Sequence, residues 1–129
     1  MNKQISVLQL IDSLQLGGAE VLAVNIANAL SKVGISSYLC VSRNEGSLKE
    51  NINPSVGYLF LERKRIVDLK AIKKLKKYII YNNITIIHAH STSCFLAISI
   101  KILHSKLKVI WHNHTGNNIG LKGKRLFLL

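Results

Sequence analysis

The sequence predicts an open, mostly parallel α/β sheet with helices on both faces. Short apolar runs alternate along the chain with helical patterns, the order that a parallel sheet with crossover helices requires. The first run, Ile5 to Ile11, is apolar nearly throughout, as in a strand buried on both faces. Polar clusters follow the first, fourth and fifth runs, at the carboxyl ends of strands where such sheets bind ligands.

The elements follow in order. After Ile5–Ile11, residues Asp12 to Leu16 form a loop, and Gly17-Gly18-Ala19-Glu20 opens a helix reaching Val33. Its apolar stripe is Leu22, Ile26, Ala29/Leu30 and Val33, and Gly34 stands in the C′ position that favours glycine. Ser37 to Ser42 reads as a second strand, Leu48 to Ile52 as a short helix, and Val56 to Leu61 as a third strand. Asp68 is placed to cap a helix running to Tyr81, with Leu69, Ile72, Leu75 and Ile79 inward and Lys70, Lys73, Lys74 and Lys77 outward. Ile84 to His88 is a fourth strand, Ser93 to His104 a helix, and Lys108 to Trp111 a fifth strand. Gly120 to Leu129 has the pattern of a basic amphipathic helix. It stops without a cap, so the chain reads as cut off within a final helix that starts at about residue 119.

At 129 residues the chain fits one domain, and 48% hydrophobic residues suffice for a core. The formal net charge of +12 favours anionic partners such as phosphate-bearing ligands or an anionic membrane surface. Nucleic acid is disfavoured, because the basic stretches lack interleaved aromatic residues and any recognition motif. No window reaches the apolar length of a membrane span, and the short N-terminal run lacks a cleavage site. Cys40 and Cys94 have no metal-type spacing and read as buried thiols of a reducing, cytoplasmic compartment.

Strand, glycine turn and helix is the geometry that points free backbone N–H groups, at the positive end of a helix, toward an anion. Glycine lets a phosphate approach the backbone closely, so Gly17 and Gly18 are candidates for phosphate contact. The competing role of these glycines is simply to make the turn, and that of Glu20 is to complement the helix dipole. G-x-G-x-x-G, the P-loop and the G-x-S-x-G elbow are all absent. His88, His90, His112 and His114 invite comparison with zinc sites. Neither pair has a familiar zinc spacing and no carboxylate lies near in sequence, so no metal or other cofactor is expected. His88 reads as a packed strand residue, whereas His90, His112 and His114, at or past strand ends, suit hydrogen bonding to hydroxyls or phosphate.

Val7-Leu8-Gln9-Leu10-Ile11, Gly17-Gly18-Ala19-Glu20, Ile87-His88-Ala89-His90-Ser91 and Val109-Ile110-Trp111-His112-Asn113-His114, in that order, resemble the N-terminal half of a retaining glycosyltransferase of family 4. The resemblance spans nearly the whole chain. It implies one Rossmann-like half of a GT-B fold, residues 1–129 being the acceptor-side domain of a transferase for surface polysaccharides. It also implies that Gly17 and Gly18 bind the donor diphosphate, that His112 contacts the donor sugar, and that His90, Asn113 and His114 line the acceptor side. No protein nucleophile or general base is implied. The expected partners are a nucleotide-sugar donor and a glycan or polyprenyl-diphosphate-linked acceptor. The expected place is the cytoplasm, with peripheral contact at the anionic inner face of the cell membrane. The donor-binding domain, with its pair of glutamates eight apart, is not in this sequence, so the isolated chain is expected to be inactive. The alternative from the residues is a non-catalytic α/β binding module or gene remnant that docks to a membrane or partner.

Overall fold

The computed structural model describes residues 4–113 and the backbone of Arg125–Leu128. One sheet carries the order β3-β2-β1-β4-β5-β6, built from β1 (Ser6–Ser13), β2 (Ser36–Asn44), β3 (Gly57–Phe60), β4 (Ile86–His90), β5 (Lys108–Asn113) and β6 (Arg125–Leu128). The first five strands are parallel, and β6 pairs antiparallel to β5. β1 and β4 are neighbours although β2, β3 and two α-helices intervene in sequence, so chain order reverses between them.

Helices cover both faces. On one face α1 (Gly18–Lys32) packs with Ile11, Leu39 and Val41. On the other, α2 (Leu69–Tyr81) and α3 (Cys94–Leu103) enclose Leu8, Leu10, Ile87, Ala89 and Val109. Strand alternation explains the division: in β1, Leu8 and Leu10 enter the α2–α3 core while Ile11 enters the α1 core.

The helix ends follow local chemistry. Gly34 adopts φ +84°, and Gly34 N–H and Ile35 N–H donate to the carbonyls of Ser31 and Leu30, closing α1 in a Schellman motif. Asp68 caps α2 by accepting from Ala71 N–H at 3.2 Å. Bonds from the backbone N–H groups of Lys64 and Ala71 hold the Asp68 carboxyl below its usual range. Its contribution to α2 is therefore present at neutral pH and lost as pH falls through that lowered value.

Four expectations are corrected. The buried face of α1 is Ala23, Val24 and Ala27, not the leucine stripe, and Val33 is 72% exposed. Alanine lets the helix approach β1 and β2 closely, so the small residues turn inward and the larger ones flank the contact. In α2 the buried set is Ala71, Leu75 and Ile79, while Leu69 is exposed. The final segment is not a helix where it is described: Arg125–Leu128 is strand β6, in register with Ile110 to Asn113. The edge of β5 offers unpaired backbone groups, and a short apolar run satisfies them better as a strand than as an uncapped helix. Both β4 and β5 also run two residues further than expected, so His90 and His112 lie within the sheet. Cys40 and Cys94 are free, buried thiols, and burial pushes both thiol pKa values up.

Ala27→Leu should destabilise the protein by about 1–3 kcal/mol in urea unfolding, through overpacking against β2. Val33→Ser should stay within about 0.5 kcal/mol of wild type. Equal effects at the two positions would return the contact face to the leucine stripe.

Candidate functional site

The polar groups converge where β1 and β4 run side by side and chain order reverses, the place where open α/β sheets form a ligand crevice. Gln9 of β1 stands opposite His88 of β4, and His90 opposite His112 of β5. With period-two alternation these four side chains share one face, the face of Ile11 and α1. Among the described residues, α1 is the only α-helix on that face, joined by the short 3-10 helix Ser47–Asn51 through Leu48.

The three imidazoles form a cluster. The ring centroids of His88 and His90 are 4.2 Å apart, and His88 lies parallel to His112 at 5.5 Å. His90 is 1% exposed and shares a hydrogen bond of 2.7 Å with Gln9, between Nε2 and Oε1. A neutral amide oxygen only accepts, so in this pairing His90 Nε2 is the donor. His88 is thus not a lone packed strand residue; it belongs to the cluster. His90, expected past the strand, is instead buried inside it. Asn113 closes β5 beside His112. His114 lies outside the described residues.

The turn after β4 is held tightly. Ser91 has φ 54°, a left-handed conformation unusual for a residue with a side chain. Trp111 Nε1 donates to the Ser91 carbonyl at 2.9 Å. The Ser93 hydroxyl is shared between the carbonyls of His90 and Leu10 at 2.7 and 2.8 Å. These bonds fix the direction in which the chain leaves the histidines and enters α3.

Gly17 is the N-cap of α1 and is extended (φ −170°). Neither Gly17 nor Gly18 uses a positive φ, so the turn does not demand glycine for its backbone angles. A Cβ on Gly17 would collide with the Glu20 carboxylate, because that side chain folds back over the helix start. A Cβ on Gly18 would meet nothing within 4 Å. Packing does not call for glycine at this exposed position. What remains is open space over backbone N–H groups at a helix N-terminus.

A second cluster was not anticipated. Asp12, at the end of β1, accepts from Ser42 Oγ of β2, from Thr92 Oγ1 after β4, and from Arg63 Nη2 at 3.2 Å. The Arg63 side chain is 4% exposed, and its Nη1 donates to the Ile66 carbonyl at 3.0 Å. The sequence presents Arg63-Lys64-Arg65 as a uniform basic loop. The only available signal was a carboxylate closing an apolar strand with nothing nearby in sequence to neutralise it.

The sequence profile of Glycosyltransferase Family 4 matches residues 16–128. The chain belongs to that family. The match spans the glycine turn, the histidine strands and β6, and the sheet is the Rossmann-like α/β arrangement expected of one half of a GT-B enzyme. No curated protein matches the chain. Among the described residues, no helix of this family 4 domain is long and apolar enough to cross a membrane.

Asp12→Ala should cost about 3–5 kcal/mol in urea unfolding, because it strands a buried guanidinium without its counter-charge. The double variant Asp12→Leu/Arg63→Met should recover most of that loss. A double variant as unstable as the single one would show that the hydroxyl bonds to Asp12, rather than the charge pair, hold the strand ends.

Proposed function

We propose that this family 4 domain forms the acceptor-side half of a glycosyltransferase that moves a hexose from a nucleotide sugar to a glycan or polyprenyl-diphosphate-linked acceptor in bacterial surface-polysaccharide synthesis. The observation that carries the reading is the shared carboxyl edge: a glycine-headed helix start follows β1, and His90 ends β4 beside His112 near the end of β5. In this reading Gly17 and Gly18 offer backbone N–H groups to the donor diphosphate. His112 hydrogen-bonds the donor sugar, Asn113 and His114 face the acceptor, and His90, expected on the acceptor side but buried against Gln9, backs His112 from within the sheet.

Catalysis in this arrangement rests on stabilising charge on the departing diphosphate and on orienting the acceptor hydroxyl, and no residue is assigned as nucleophile or general base. A second α/β domain would grip the nucleotide. The Glu20 carboxylate now folds over the helix start, so an incoming diphosphate must displace it, an exchange of one anion for another of higher charge.

Placement at a cytoplasmic membrane face fits the surface of α2. Lys70, Lys73 and Lys77 are exposed there, next to Ile66, Val67 and Leu69, which are 70–76% exposed. Exposed apolar residues flanked by lysines suit an anionic bilayer surface better than bulk water.

The test separates charge from fold. Nucleotide diphosphates and nucleotide sugars titrated into the isotopically labelled protein should shift the amide signals of Gly17 to Glu20. Gly18→Asp should weaken that binding at least about tenfold by placing a carboxylate where the diphosphate sits. Gly18→Ala should melt at or above the wild-type temperature, since alanine is the better helix former by about 0.5–1 kcal/mol. No shift with any nucleotide in either form would sink the transfer reading and favour a non-catalytic module.

A further inference from the structure

We propose that His88, His90 and His112 form a binding site for a divalent transition metal ion of the zinc, cobalt or nickel kind. The site shares His90 and His112 with the sugar-transfer reading but does not rest on it, since the geometry comes from these strands alone. One ring nitrogen from each histidine lies within 4.8 Å of the other two. Tetrahedral zinc, with Zn–N bonds of about 2.0–2.1 Å, holds its ligand nitrogens roughly 3.3 Å apart. Closing the difference requires the imidazole rings to rotate about their side-chain bonds while the strands stay in place.

That backbone is well suited to the task. His88 and His90 are two residues apart on one strand and so face the same way, and His112 is the direct cross-strand partner of His90. All three sit on hydrogen-bonded parallel strands, which hold ligands more accurately than loops do. Adjacent strands explain why spacing along the chain gave no metal signature: the third ligand comes from sheet register.

Gln9 supplies the second requirement. A ligating histidine usually donates its other ring N–H to an oxygen, which fixes the tautomer and orientation of the ring. With Nδ1 of His90 as the ligating atom, the 2.7 Å bond between His90 Nε2 and Gln9 Oε1 would do this from inside the sheet, where both residues are almost fully buried. The donor set is all imidazole. Cys40 and Cys94 belong to the core on the opposite face, and Asp12 is engaged by Arg63, Ser42 and Thr92. Imidazole donors select zinc, copper, nickel and cobalt over magnesium and calcium, and three ligands leave a position open for water or an oxygen ligand.

Chelator-treated protein titrated with Co2+ should take up one equivalent and develop the intense visible bands of four- or five-coordinate cobalt, which Zn2+ then displaces. His88→Ala and His112→Ala should each weaken Zn2+ binding, followed by calorimetry, by more than tenfold. Gln9→Leu should weaken it by about 10–100-fold while leaving the three rings in place, whereas His104→Ala should leave it unchanged. Wild-type protein provides a check that needs no folded variant: Zn2+ should shift the ring nitrogen signals of His88, His90 and His112 and spare His104. Metal binding unaffected by His88→Ala and His112→Ala, or ring shifts that avoid these three residues, would overturn the proposal.

Discussion

The Asp12 carboxylate is the tie on which the rest of this arrangement depends. Parallel strands end in loops that diverge to opposite faces of a sheet, and nothing in the strand ladder itself holds those loops together. Asp12 does so by accepting from β2, from the segment after β3 and from the turn after β4. A carboxylate can serve several donors at once, and charge-assisted bonds are the stronger kind. Arg63 in turn is buried only because Asp12 neutralises it, and it carries its own loop down to the sheet through the Ile66 carbonyl. The crevice therefore has a rigid floor before any ligand enters.

The fold was legible because its signals are local. Ile5 to Ile11 reads as a two-sided buried strand, Gly34 and Asp68 mark helix ends, and each marker does what its chemistry predicts. The failures share a cause. In α1 the leucine stripe is the more hydrophobic face, yet Ala23 and Ala27 point inward, because distance of approach to the sheet decided the contact. In Arg125–Leu128 the open edge of β5 decided between strand and helix, and no residue within the segment announces that edge. Both outcomes depend on tertiary partners that a local window cannot contain.

The site divides in the same way. Gly17, Gly18, His90, His112 and Asn113 were visible as a glycine turn and polar strand ends, and they lie toward the carboxyl ends of the strands. Gln9 was hidden, since a lone glutamine between Leu8 and Leu10 looks like a blemish in an apolar strand. Its meaning comes from pairing with β4, which brings it against His90, 81 residues away. Arg63 was hidden for the opposite reason, standing beside two other basic residues that are exposed while it is buried. Register and burial, not residue type, distinguish these two positions.

Polar residues inside a central strand are a cost that a purely structural sheet would avoid, since each buried polar atom needs a partner. Here the costs are concentrated: Gln9, His88, His90 and His112 occupy one face at the point of chain reversal, while the opposite face at the same level is Leu8, Leu10, Ile87, Ala89 and Val109. Residues of one strand thus alternate between an apolar core and a polar site. Moving the register by a single residue would drive the histidines into the α2–α3 core and expose the leucines. The hydrophobic pattern that folds the sheet is therefore also what aims the histidines, and stability and site geometry are set by the same alternation.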